Sequence, residues 1–205
     1  MRKLIPIFIL MVICPAALMA DSPLTSTLFW RAYKDVAVVA HASTSKGLMR
    51  KAHCVFLTDD SQPLDVKLAV VSAIGWDIDG QKNAPRLLAY LKKYHGVETA
   101  DEVIKKGHPH WGVCFAYLKA LDNYFDVTEA ADWADQAAKR SPESYAASLI
   151  ASLIRAQIYL DQDWCLTFAA VDMVRKKFEL TDKDLRPAAI ERIFGYMDKY
   201  AQYCR

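Results

Sequence analysis

The run NAPRLLAYLKKYHG, residues 83–96, decides the fold class. Its side chains Ala84, Leu87, Leu88, Leu91, Tyr94 and His95 recur at intervals of three and four, the spacing that lines one face of an α-helix and neither face of a strand. Pro85 stands where a helix start tolerates a missing N–H, and Gly96 stands where a helix ends. The spacing therefore predicts a helix over 83–95. Cys114, Leu118, Leu121 and Phe125 repeat the rhythm, as do Ile193, Met197, Tyr200 and Cys204.

Working outward, Pro23, Pro63, Pro85, Pro109, Pro142 and Pro187 each precede a run rich in Ala, Leu and Lys, while Gly47, Gly75, Gly80, Gly96 and Gly107 fall between runs. Gly112 and Gly195 lie inside predicted helices. Helices are expected at about 25–42, 47–58, 64–75, 83–95, 99–106, 110–125, 128–140, 143–160, 163–178 and 187–203. The connections are short, so consecutive helices should pack as antiparallel neighbours. The expected fold is all-α: one compact bundle of about nine or ten short antiparallel helices, with solenoid-like stacking of helical hairpins. Two stretches, residues 35–41 (DVAVVAH) and 53–57 (HCVFL), could equally pair as short strands, because valines and aromatics suit a pleated surface.

Residues 66–75, VKLAVVSAIG, preceded by Asp65, resemble the second-helix pattern of a HEAT repeat: a valine, a base, small apolar residues, then an aliphatic residue and glycine. The resemblance covers this one helix. Ser144–Ile154 has a similar texture without the base or the glycine, and no period of about 40 residues recurs along the chain. The resemblance implies stacked helix pairs and a binding surface, and no particular chemistry.

Residues 1–20, MRKLIPIFILMVICPAALMA, combine two initial charges, an apolar run from Leu4 to Ile13 and small residues ending at Ala20. They read as a secretory signal peptide, interrupted by Pro6 and Pro15 and too short in its apolar part to span a bilayer. Cys14 follows Ile13 rather than the small residue that lipid attachment requires. The mature unit is then an all-helical domain, 21–205, exported to the periplasm or beyond, with no membrane span. Lys and Arg number 26 against 24 Asp and Glu, and the surplus, Arg2 and Lys3, lies in the leader. A balanced mature chain excludes a polybasic nucleic-acid binder and an acidic disordered tail.

Removing Cys14 leaves Cys54, Cys114, Cys165 and Cys204, an even number in an oxidising compartment, which favours two disulfides. Helices at about 163–178 and 187–203 should form a hairpin in which Cys165 and Cys204 both stand about 20–24 Å from the turn. They are level, so Cys165–Cys204 is the first expected bridge. Cys54–Cys114 follows by elimination.

Among possible chemistries, His108 and His110, with His95 upstream and Cys114 one turn further on, make the most metal-like cluster. The ligand set is incomplete and Cys114 lies on an apolar stripe, so no metal is expected and the two histidines read as a helix start. Asp77-Ile78-Asp79-Gly80 opens like a calcium loop but places glycine fourth rather than sixth, and reads as a turn. His53 and Cys54 are sequence neighbours and point in different directions, which gives no catalytic pair. There is no GxSxG elbow, SxxK motif or phosphate loop, and no cofactor is expected. Trp30, Trp76, Trp111, Trp133 and Trp164 sit near helix ends, where they can staple neighbouring hairpins or line a groove.

The functional expectation is a periplasmic binding protein without catalysis of its own. It would be an adaptor or an inhibitor of the immunity-protein type whose partner is another envelope or secreted protein. The alternatives are an envelope hydrolase using dispersed acid and histidine residues, and a metal-binding helical protein using His108 and His110.

Overall fold

Helix starts and stops follow local chemistry closely in the computed structural model, which describes residues 22–179 and 182–204. The leader 1–20, its cleavage site and Cys14 lie outside the described residues. The helices are α1 (Ala37–Ser43), α2 (Lys51–Thr58), α3 (Leu64–Ile74), α4 (Asn83–His95), α5 (Ala100–Lys105), α6 (Pro109–Asp122), α7 (Thr128–Lys139), α8 (Tyr145–Tyr159), α9 (Trp164–Lys177) and α10 (Pro187–Met197). Short 3-10 helices cover Phe29–Tyr33 and Asp198–Tyr203. Among the described residues there is no strand: 37–41 of the first stretch lies in α1, and 53–57 lies in α2.

Proline opens α6 and α10 at the first helical position, where its missing N–H has no partner to lose. Thr99, Ser144 and Asp163 accept hydrogen bonds from the first turns of α5, α8 and α9. Gly96, at φ +67°, closes α4 in the left-handed conformation that a side chain resists. The main departure from the expected elements lies at 25–42. Val36 takes an extended conformation, which splits that stretch into the first 3-10 helix and α1.

Three helices carry the core. α3, α6 and α8 are buried on nearly every side and pack on one another, while α4, α7 and α10 bury one stripe each. The α7 stripe is Ala130, Ala131, Ala134 and Ala137. Small residues bring α7 close to α6, where a Cβ added at Gly112 would stand 3.0 Å from that of Ala137. From α6 to α9 each helix packs on the next, as in a solenoid. The ends of the array nevertheless meet, because α10 and α3 both pack on the first 3-10 helix. Tyr33 is the clasp: its hydroxyl donates to Asp65 Oδ2 at 2.8 Å and accepts from the Arg186 N–H at 3.1 Å, and the Arg186 guanidinium lies 4.4 Å over its ring. The result is a closed bundle rather than an open stack of hairpins.

The expected bridge forms. Cys165, in the first turn of α9, is joined to Cys204, which follows the second 3-10 helix, with a Cα–Cα distance of 4.8 Å. The second expected bridge is corrected: Cys54 and Cys114 are both buried free thiols. Their electrostatic surroundings differ, since Arg86 of α4 acts on Cys54 whereas Lys67 of α3 acts on Cys114. Burial pushes these thiols up to about 11 and about 12, so neither is a ready thiolate at neutral pH.

Candidate functional site

Two places gather chemistry. The first is the end of the bundle where α4 and α7 end and α6 begins. His108 is the N-cap of α6, and its Nδ1 accepts from the His110 N–H at 3.3 Å while standing 3.7 Å from Asp60. The His110 ring lies edge-on to that of His108, with centroids 4.6 Å apart, and His95 stands edge-on to Trp111 at 4.8 Å. The three histidines of the sequence reading are therefore neighbours around Trp111, but they do not converge on one point. Among the described residues no group of three His, Cys, Asp or Glu side chains is placed to hold a metal ion.

His95, His108, Trp111 and Asp60 line a cleft of about 560 Å³. Three of its polar side chains serve helix ends, while the buried Trp111 Nε1 has no hydrogen-bond partner among the described residues. Glu102 accepts from the Glu98 N–H at 2.9 Å, Arg140 donates to the Ile104 carbonyl at 2.8 Å, and His108 caps α6.

Behind this cleft is a feature the sequence reading missed. Lys67, the base of the HEAT-like stretch, is fully buried, and its Nζ has no hydrogen-bond partner among the described residues. Burial holds its pKa below the ordinary lysine value, with the Cys114 thiol and the Asp60 and Asp59 carboxylates acting against that shift. An uncompensated buried ammonium is costly. Lys67→Met, which keeps the stem and removes the charge, should raise stability by about 1–2 kcal/mol. Urea unfolding checks this, and a loss of 1 kcal/mol or more would mean that the ammonium is paired in solution.

The second place is an apolar groove of about 590 Å³ along α8. α7 and α9 both pack on α8 and form the two walls. The floor is made of Ser148, Ala151, Ser152, Arg155 and Tyr159. Its mid-point charge is internally neutralised, since Arg155 pairs with Asp132 and Asp135 of α7. Leu166 and Met173 of α9 form the rim, and they are among the large apolar side chains left exposed, at 47% and 67%. Lys139 and Lys177, the last residues of α7 and α9, line the same end of the groove. Neither has an acidic partner among the described residues. No motif marks this groove; the signal was the apolar stripe Leu166, Ala169, Ala170 and Met173, which looks like an ordinary core stripe in the sequence.

The tryptophans staple rather than line this groove: Trp76 packs on Tyr124 at 4.6 Å, Trp133 on Phe115 at 5.5 Å and Trp164 on Tyr203 at 4.4 Å. The Asp77–Gly80 stretch is a turn, with the Asp79 N–H donating to Asp77 Oδ1 at 3.0 Å. His53 and Cys54 face different neighbours, His53 pairing with His41 at 3.1 Å. Comparison with known proteins gives no match to a family model, a curated protein or a solved structure.

Proposed function

We propose that this protein is an exported, periplasmic binding protein, an adaptor or inhibitor that acts by docking on another envelope or secreted protein and carries no catalysis of its own. The observation that supports this reading is the α7–α8–α9 groove, an apolar surface with exposed Leu166 and Met173 on its rim. A contiguous apolar groove of this kind is one place where a partner can dock. In the histidine cleft, by contrast, His108, Glu102 and Arg140 are engaged at helix ends.

Affinity capture from the envelope fraction tests the reading. The mature chain, beginning within a few residues of Asp21 by intact mass, should retain a stoichiometric protein partner. The triple variant His95→Ala, His108→Ala, His110→Ala should keep that partner, and Met173→Glu should lose it. A bound metal or a hydrolytic activity that disappears in the triple variant would replace this proposal with one of the two alternatives.

A further inference from the structure

The groove is shaped for one more helix. On its floor, Ser148, Ala151, Ser152, Arg155 and Tyr159 recur at three- and four-residue intervals; on the α9 wall, Leu166, Ala169, Ala170, Met173 and Lys177 do the same. These are the seams that helices present to helices. Both stripes carry small residues at their centres, which lets a backbone approach closely. The floor from Ser148 to Tyr159 spans about 17 Å, three helical turns. The exposed Met173 adds a side chain that adapts to irregular apolar partners.

Charge selects the occupant and its direction. The groove centre is neutralised by the Arg155 pairs, so its free charges are Lys139 and Lys177, both at the end where α8 begins. α7 and α9 end there, which also places two helix C-termini at that end. An incoming helix antiparallel to both walls brings its N-terminal turn to the two lysines, and acidic side chains in a first turn complement both its own dipole and these cations.

We infer that the groove takes an amphipathic helix of a partner protein, about three turns long, with Asp or Glu in its first turn lying over Lys139 and Lys177. This rests on the binding-protein reading and adds to it the partner's chemistry and polarity.

The test uses the mature chain and two synthetic peptides of about 14 residues, stapled on the outer face to hold them helical and labelled at the C-terminus. Both carry the same leucine stripe; one has two glutamates in its first turn, the other two lysines. Fluorescence anisotropy should show one-to-one binding of the acidic peptide and at least about tenfold weaker binding of the basic one. Lys139→Glu with Lys177→Glu should reverse that preference. Met173→Glu, at a side chain two-thirds exposed, should abolish binding of both without touching the core.

Equal binding of the two peptides, or a preference unmoved by the charge reversal, overturns the acidic-helix assignment. So does displacement of the acidic peptide by a long-chain carboxylate such as palmitate, or self-association of the chain that Met173→Glu removes. The two levels fail separately. If neither peptide binds but Met173→Glu still releases the captured envelope partner, the helix inference falls and the binding reading stands. If Met173→Glu leaves that partner bound, the reading itself falls.

Discussion

Replacing Asp122 with alanine is expected to lower the stability of the fold by about 3–4 kcal/mol, a large share of the 5–15 kcal/mol typical of a domain. α4 starts without a side-chain cap of its own, and Lys82 occupies the capping position. The carboxylate of Asp122, at the end of α6, takes that role from 39 residues away: Oδ1 accepts from the Asn83 N–H and Oδ2 from the Ala84 N–H, each at 2.8 Å. The Asp122 carbonyl accepts from the Gln81 N–H at 3.0 Å. Asn83 extends the junction, accepting from the Met49 N–H at 2.9 Å and donating to the Gly47 carbonyl at 2.9 Å.

Asp122 is buried, and desolvation raises its pKa although the two N–H bonds pull the other way. Alanine leaves two buried N–H groups without acceptors, each costing about 1–3 kcal/mol. Asp122→Asn keeps one acceptor and should cost about half as much. Urea unfolding with an unchanged slope measures both. A loss below 1 kcal/mol for the alanine variant would mean that water replaces the carboxylate and the junction is not structural.

Asp122 also shows where reading the sequence stops. Proline at a helix start, glycine at a helix end and the three-four apolar rhythm act over a single turn, so α3, α4, α6, α9 and the start of α10 were legible within a few residues. An acid at the end of a helix runs against the local dipole rule. Its purpose lies at the start of α4, and nothing within a turn of Asp122 points there. Tyr33, Asp65 and Arg186 are the same kind of case, three residues far apart in sequence whose contacts close the bundle.

The two disulfide expectations differ for the same reason. Cys165–Cys204 came from the geometry of a hairpin, and the chain does bring the two cysteines together, by packing the second 3-10 helix along α9. Cys54–Cys114 came from elimination, which contains no geometry, and although α2 and α6 touch, both thiols stay free. At the histidine end, sequence spacing grouped His95, His108 and His110, and the fold does bring them together. What it could not supply was their engagement with caps and with Trp111. The groove was illegible because a stripe of apolar residues looks alike whether or not another helix covers it.

Acid is expected to destabilise the protein chiefly between pH 6.5 and about 4, through His53. In α2 the His53 Nδ1 accepts from the Arg50 N–H at 3.2 Å, the capping contact that a glutamine more often makes at this position. Nδ1 therefore carries no hydrogen, and Nε2–H is the donor towards His41 Nδ1 at 3.1 Å. Protonating His53 puts a hydrogen where the cap accepts one, inside a fully buried ring. Burial, with His41 and Arg50 adding to it, lowers the pKa from 6.5 to about 4.

Above pH 6.5 the ring is neutral in both the folded and the unfolded chain, and its contribution does not change. As pH falls below 6.5 the unfolded chain takes up the proton and the folded one does not, so stability drops, and the drop is complete near pH 4. For His53 the loss is about 3 kcal/mol at 1.36 kcal/mol per unit. His110 moves the same way, lowered to about 4 by burial with Lys67 and His108 adding and Asp60 and Asp184 opposing; being partly exposed, it contributes a smaller share. The exposed carboxylates Asp35 and Asp59, held below the usual range by hydrogen bonds from Arg186 and from Ser61, act only at lower pH. Unfolding free energies measured from pH 7.5 to 4 should therefore fall steeply in the native protein. His53→Gln preserves the cap acceptor and cannot titrate, so it should flatten most of that slope. An unchanged slope in His53→Gln would assign the acid sensitivity to other groups and remove His53 from the account.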